Sequence, residues 1–372
     1  MAETLSDSSV INPVQTQTLI GHEKAERQFL DSFNSDRVHH AWLITGPRGV
    51  GKATLAWRIA KFLLTQDTNA TADTGLFGET LETDARSLDT DPANPIVQRI
   101  LSGGHGNIRH ICRTENTSTG KLRKDIVIDD IRSLISFFGQ TSAESGWRIA
   151  IIDAADEMNV SASNAILKLL EEPPAKSIIL MLAHSPGKLL PTIISRCRRL
   201  HLSPLSLNSV QAVLAGRYPT ISNEDLQLLS QLAIGSPGKA ITIYEGEGLE
   251  LYHEVLKLFQ SMPAYNIAAL HALAGKLGQA KADAKYHLFF EFAIGFIERI
   301  IRFNTTQDKQ FCFTQGEESL FLQLFANSRV DQWMDLWEKM IERKNRADSV
   351  NLDRKQVILN FAASTAQTAK GI

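Results

Sequence analysis

Hydrophobic positions along this chain follow two patterns, one before and one after about residue 203. In the first, short unbroken apolar runs alternate with stretches whose apolar residues recur every three to four places. Ala41-Trp42-Leu43-Ile44-Thr45, Arg148-Ile149-Ala150-Ile151-Ile152-Asp153 and Ile178-Ile179-Leu180-Met181-Leu182-Ala183 are the runs. Each is too short for an ordinary helix and reads as a strand buried on both faces. Helical spacing links Ala25, Phe29, Leu30 and Phe33 behind Gly21-His22-Glu23. It also links Leu55, Ile59, Phe62 and Leu63, and then Ile128, Ile131, Leu134, Ile135 and Phe138. A further helix is expected from about Ser161 to Glu171, stopped by Pro173-Pro174. Strands alternating with helices predict a parallel sheet covered by helices on both faces.

From about Pro204 onward no strand pattern appears. Ser206, Asn208 and Ser222 are suited to capping short helices. Beyond residue 250 the chain reads as all-helical. Trp333, Leu336, Trp337 and Met340 stand at i, i+3, i+4 and i+7, a stripe that reads as helix-bundle core before it reads as a ligand-binding face. Three segments are polar instead. Residues 1–18 read as an arm. Residues 65–95, acidic around Glu79 to Asp91, read as a loop or insertion with little core of its own. A basic stretch from His105 to Lys124 carries Arg109, His110, Arg113, Lys121, Arg123 and Lys124, and solvent or a partner is its expected contact.

Composition adds bounds. At 372 residues, 43% hydrophobic and 22% charged, the chain has the balance of an ordinary globular protein of two or three domains. A net charge of -2 gives no whole-molecule attraction to nucleic acid or membrane, so any DNA contact needs a local basic strip or a partner. Cys112, Cys197 and Cys312 are far apart and odd in number, which argues against a disulfide framework or a four-cysteine zinc site. There is no basic-then-apolar leader and no apolar run long enough for a membrane helix, so a cytoplasmic location is expected.

The clearest chemical motif is Gly46-Pro47-Arg48-Gly49-Val50-Gly51-Lys52, set between a predicted strand and a predicted helix. That context is the one a P-loop requires: glycines let backbone N–H groups converge on phosphate oxygens, and the helix N-terminus adds its positive end. Lys52 would reach the β- and γ-phosphates. The hydroxyl residue that should follow, for magnesium, is Ala53, and Thr54 comes one place late, turned by about 100° on a helix. Asp153, at the tip of a buried strand, suits a supporting role in magnesium binding. Ala154 stands where a water-polarising Glu would be expected. In Ser195-Arg196-Cys197, an arginine placed after the last predicted strand could reach across an interface to a γ-phosphate and stabilise charge in phosphoryl transfer. A solvated basic face, with Arg198 and Arg199, is the competing reading.

Two strings tip that balance. Ser195-Arg196-Cys197 follows Leu190-Pro191-Thr192-Ile193-Ile194, and Asn164-Ala165-Ile166-Leu167-Lys168-Leu169-Leu170-Glu171-Glu172-Pro173-Pro174 resembles the NALLKTLEEPP signature of the bacterial replicative clamp loader, an AAA+ family. The resemblance covers about residues 19–240. It implies an α/β plus all-α fold: a P-loop parallel-sheet core over 19–203, a small helical lid over 204–247 and a helical collar over 250–372 that assembles the complex. Motor subunits (gamma/tau) keep a P-loop Ser/Thr, an acidic pair at the strand tip and an Arg in a Gly-Ser-x-Arg turn. Here those positions are Ala53, Ala154 and Gly238, within Gly235-Ser236-Pro237-Gly238.

The resemblance therefore implies a non-hydrolysing, stator-like subunit that supplies Arg196 to a neighbour's ATP. Its implied partners are gamma/tau motor subunits, the delta subunit, the sliding clamp and, through the complex, primed DNA. Gly46 to Thr54 with Asp153 would hold ATP or ADP passively. Many relatives carry a four-cysteine zinc module after the P-loop helix. This chain has only Cys112 there, so no zinc is expected. The phosphate-sensing position after the third strand reads His184-Ser185. An active gamma/tau-type ATPase and a P-loop phosphotransferase are the alternatives.

Overall fold

The computed structural model describes residues 12–35, 37–72, 84–115, 120, 122–139, 146–350 and 352–372. The chain divides into two compact units, Met1–Val213 with Ile234–Lys239, and Leu214–Ala233 with Ala240–Ile372.

The first unit is built on a five-stranded parallel sheet. Its elements run α1 (Glu23–Asn34), β1 (Ala41–Thr45), α2 (Lys52–Ala72), α3 (Pro95–Leu101), β2 (Ile108–Ile111), α4 (Ile128–Gly139), β3 (Arg148–Asp153), α5 (Val160–Glu171), β4 (Ser177–Ala183), α6 (Pro191–Ile194) and β5 (Arg198–His201). The strand order is β2-β3-β4-β1-β5. β1 therefore lies between the last two strands of the unit, pairing Trp42 with Leu180 on one side and with Arg198 on the other.

The unbroken apolar runs resolve into two alternating sets, as the period of two demands. Trp42, Ile44, Ile149, Ile151, Ile178 and Leu180 join one core with Phe29, Leu55, Ile59 and Leu63. Ala41, Leu43, Ala150, Ile152, Ile179 and Met181 join the other with Ile131, Leu134, Ile166 and Leu170. Both faces are dry, which is why the interiors of the runs are apolar and polar residues stand only at their ends, as at Thr45, Arg148 and Asp153. The expected α/β core is thus present, with β1, β3 and β4 where the apolar runs predicted them.

Local chemistry sets the ends. Asn159 caps α5 by accepting the Ala162 N–H at 2.9 Å, and the helix stops at Glu171 before the two prolines. Two strands escaped the sequence reading. β2 lies inside the basic stretch with Ile108 inward, and β5 carries Arg198-Arg199-Leu200-His201 with only Leu200 buried. A four-residue edge strand with one inward apolar side chain leaves no periodic signal.

The polar segments are more anchored than expected. Lys61 donates to the Val14 carbonyl at 2.7 Å and Arg58 to the carbonyl of Gln17, so residues 14–17 of the expected arm dock on α2. α2 runs to Ala72, into the expected 65–95 insertion. Farther on, Leu88 is buried in the sheet core and Asp89 pairs with Arg58 at 2.9 Å. Residues 1–11, 73–83 and Lys121 lie outside the described residues.

The chain continues through α7 (Leu207–Arg217), α8 (Asn223–Leu232), α9 (Pro237–Glu245), α10 (Gly248–Gln260), α11 (Ile267–Leu277), α12 (Asp283–Thr306), α13 (Glu317–Phe325), α14 (Val330–Val350) and α15 (Arg354–Ala369). Ser222 caps α8 by accepting the Asp225 N–H at 3.1 Å, as its position predicted, whereas Asn208 lies within α7. Among its described residues the second unit is built of helices and contains no strand. Phe259, Phe289, Phe290, Phe296, Phe321 and Phe361 form its aromatic centre. Trp333, Leu336 and Met340 are buried, so the predicted stripe is packing surface. No helix among the described residues is long and apolar enough to cross a membrane.

Candidate functional site

The P-loop leaves β1 at Thr45 and ends where α2 begins at Lys52. Gly46 has φ +148° and faces backbone: a Cβ there would come within 2.2 Å of the Leu202 carbonyl oxygen. Only glycine fits that crossing of the sheet edge. Val50 is buried and its carbonyl is 2.8 Å from His22 Nε2. A carbonyl only accepts, so Nε2 carries the proton, and burial holds the imidazole below its ordinary pKa. His22, the residue before α1, props the loop from beneath. In the sequence alone His22 is visible only as the start of a helix.

Lys52 is 4% exposed and bends back on the loop, donating to the carbonyls of Gly46 and Pro47, each at 2.7 Å. Burial lowers its pKa to about 8, while Asp153 and Asp156 pull the other way. Ala53 packs its methyl against the sheet core and Thr54 is buried, so neither offers a hydroxyl at the mouth of the loop. Asp153 stands at the end of β3 with its carboxyl raised by burial, against the pull of His110 and Lys52. Ala154 and Ala155, next in line, are buried methyls.

The two acids beyond them are committed elsewhere. Asp156 accepts the backbone N–H groups of His184 at 3.0 Å and Ser185 at 2.8 Å, tying the tips of β3 and β4 together. Glu157 bridges Arg48 at 2.6 Å and Arg113 at 2.7 Å. The acids that follow Asp153 thus serve to hold the loops. His184 has its Nδ1 buried without a hydrogen-bond partner, and burial with the nearby Lys52 and Arg48 lowers its pKa to about 4.

The Gly235-Ser236-Pro237-Gly238 turn closes on this loop. Ser236 donates to the Arg48 carbonyl at 2.8 Å, and the Gly238 N–H donates to the Gly49 carbonyl at 2.9 Å. A Cβ on Gly238 would lie 2.7 Å from the Gly49 Cα. Two glycines, each lacking a side chain, let these backbones touch. A longer residue at position 238 is excluded unless the start of α9 moves away.

Arg196 is elsewhere. It precedes β5, whose Arg198 pairs with Trp42 near the start of β1, whereas the P-loop departs from the far end of β1. Strands of this length separate the two ends by roughly 15 Å. Arg196 contacts Glu171 and Thr192. Cys197 donates to the Ile193 carbonyl at 3.1 Å, and burial pushes its thiol up to about 12, so it is an inert plug. Among the described residues no group of three or more His, Cys, Asp or Glu side chains is placed to hold a metal ion.

Four histidines of this unit, His22, His40, His110 and His184, have pKa values lowered chiefly by burial. The fold disfavours their charged forms, so below the ordinary value of 6.5 the unfolded chain binds more protons. The contribution of these imidazoles is full above pH 6.5 and falls as pH drops through that value. The raised carboxyl of Asp153 acts with the opposite sign. The urea midpoint of the full chain is expected to be lower at pH 5.5 than at 7.5. Equal midpoints would mean that these imidazoles charge freely in the fold.

The amino-acid sequence has relatives among known proteins. The sequence profile described as "DNA polymerase III, delta subunit" matches residues 21–206. The DNA polymerase III subunit delta' of Pseudomonas aeruginosa is 30% identical over 272 residues, spanning 73% of this chain and 74% of that protein. The DNA polymerase III subunit tau of Salmonella typhimurium is 28% identical over 229 residues, spanning 60% of this chain and 32% of that protein. Among solved structures, a DNA polymerase III gamma subunit-related protein from Thermotoga maritima aligns with a TM-score of 0.40 at 16% identity, covering 92% of this chain and 99% of that one.

Proposed function

Because the chain belongs to the DNA polymerase III delta-subunit family, we propose that it is a non-hydrolysing, stator-like subunit of the replicative clamp loader that offers Arg196 to a neighbouring subunit's ATP. One observation carries this reading. Arg196 and the chain's own P-loop stand at opposite ends of one parallel sheet, which takes this arginine away from its own loop and supports a role toward a second chain. An arginine finger supplied in trans stabilises the charge that spreads over the phosphoryl oxygens in the transition state.

The chain's own loop supports holding a nucleotide more than cleaving one. Gly46–Lys52 has the complete glycine pattern, and Lys52 with the backbone N–H groups would hold the phosphates of ATP or ADP. The hydroxyl for magnesium, the water-polarising acid and the lid arginine are replaced by Ala53, Ala154 and Gly238. The acids after them are engaged with Arg48, Arg113 and the β4 tip. In this reading nucleotide loading is coupled to the contact between the Gly238 turn and Gly49.

In this reading residues 204–247 are the lid and 250–372 the collar that assembles the complex. The partners are the gamma/tau motor subunits and the delta subunit, with the sliding clamp and primed DNA engaged by the whole assembly. The experiment that tests it is single-turnover ATP hydrolysis by the reconstituted loader carrying Arg196→Ala, beside an ATPase assay of the purified chain. Turnover by the isolated chain would instead support an active gamma/tau-type motor.

A further inference from the structure

Arg196 is held by one carboxylate. Its Nη2 lies 2.9 Å from Glu171 Oε1, and its Nη1 donates to the Thr192 carbonyl at 3.0 Å. The neighbouring Arg198 is used differently, donating to Ser32 Oγ at 3.0 Å with its guanidinium 5.1 Å from the Trp42 ring centroid. Of these two neighbouring arginines, Arg196 is the one that rests on a carboxylate.

Both ends of this pair rest on ordered backbone. Ile193, one turn before Arg196, is fully buried, and Cys197 beyond it is tied to the Ile193 carbonyl. Glu171 is the last residue of α5, after the buried Leu170, whose carbonyl is 3.0 Å from His40 Nε2. The tips are open, with side chains 36% exposed for Arg196 and 51% for Glu171. Such a pair adds little to folding stability. What it restricts is motion: a long, flexible arginine gives up rotamer freedom before a ligand arrives. Glu171 and Thr192 each occupy one branch of the fork, and the remaining N–H donors suit a planar group of oxygens.

We propose that Glu171 is a positioning residue that pre-orients Arg196 for a phosphoryl group presented by another chain, an inference that rests on the in-trans reading above. Glu171 touches no substrate. It lowers the ordering that Arg196 must undergo as the transition state forms.

The test uses the reconstituted loader with full-length Glu171→Ala, Glu171→Gln, Arg196→Ala and the double variant, reading single-turnover kcat, KM for ATP and assembly by size exclusion. Glu171→Ala is expected to lower kcat roughly tenfold, the scale of ordering one long side chain, with KM unchanged. Glu171→Gln keeps an oxygen for Nη2 and should recover most of the rate, and it carries the test if the alanine variant fails to assemble. On the Arg196→Ala background, Glu171→Ala should add nothing.

If Glu171→Ala leaves kcat unchanged or raises it while Arg196→Ala is impaired, the carboxylate is a bystander or a competitor and the proposal falls. A further loss on the Arg196→Ala background also overturns it, by placing the action of Glu171 elsewhere. A normal rate for Arg196→Ala overturns the in-trans reading itself, and this inference with it.

Discussion

Arg196→Ala is expected to slow ATP hydrolysis at the neighbouring site of the assembled loader by at least about 100-fold, with assembly intact. The size follows from what the residue supplies. A guanidinium carries a fixed charge and a planar fork of donors, and charge spreads over the phosphoryl oxygens only as the bond breaks. Its loss should therefore appear in kcat and leave KM for ATP close to the parent value. The stem of the arginine is a short helix with Ile193 fully buried, and the Cys197 thiol is locked to the Ile193 carbonyl. Truncating the exposed tip should not disturb that stem. Arg196→Lys keeps the charge but not the fork and should fall between the two. Single-turnover hydrolysis with size exclusion of the same samples measures both quantities, and a parent-like rate with Arg196→Ala would remove the finger from the account.

The second large effect lies in the helical unit. Glu317 is 1% exposed at the start of α13, yet it faces an arginine and three further donors. It accepts from Arg299 Nη1 at 2.5 Å, Tyr252 Oη at 2.6 Å, the Phe313 N–H at 2.7 Å and Thr314 Oγ1 at 3.0 Å. Arg299, also buried, donates a second branch to Tyr252 Oη at 2.7 Å and packs 3.9 Å from the Phe313 ring centroid. Burial pushes the Tyr252 hydroxyl well above its ordinary pKa, so it stays protonated and remains a donor.

Glu317→Ala would leave Arg299 buried without its counter-charge and strip three other donors of their acceptor. A loss of about 3–5 kcal/mol in unfolding free energy is expected, the scale for breaking a buried pair from one side. Removing both charges should cost much less, so Glu317→Leu with Arg299→Met is expected to regain a large part of the loss. Urea unfolding of the full chain followed by far-ultraviolet circular dichroism measures this. A loss below 1 kcal/mol for Glu317→Ala would mean that the network is dispensable.

Much of the first unit was legible in the order of residues. β1, β3 and β4 were read at nearly their observed bounds because a sheet covered on both faces demands uninterrupted apolar runs. The P-loop was legible because its glycines sit between a strand and a helix, and the replacements Ala53, Ala154 and Gly238 are single letters at defined offsets. The stripe through Trp333 correctly announced a buried helix face. β2 and β5 were not legible, since each is a four-residue strand at a sheet edge with few inward apolar residues. The anchoring of residues 88–89 was not legible, because one buried leucine, Leu88, and one pair, Asp89 with Arg58, leave no trace in composition.

The candidate site divides along the same line. Local order determined which residues are present: the loop from Gly46 to Lys52, the arginine in Ser195-Arg196-Cys197, and the family signature around Glu171. Only the tertiary structure decided what each one faces. The strand order β4-β1-β5 puts Arg196 at the opposite end of the sheet from its own loop, and strand order is a choice among non-local pairings that no local period encodes. The contact of Gly238 with Gly49, the engagement of Asp156 and Glu157, the prop from His22 and the hold of Glu171 on Arg196 all join separate elements. Periodicity and propensity act over a few neighbouring residues, so they set the elements. Hydrogen bonds and close backbone approaches between elements exist only once the core has packed, and it is these that set Arg196 apart from its own loop.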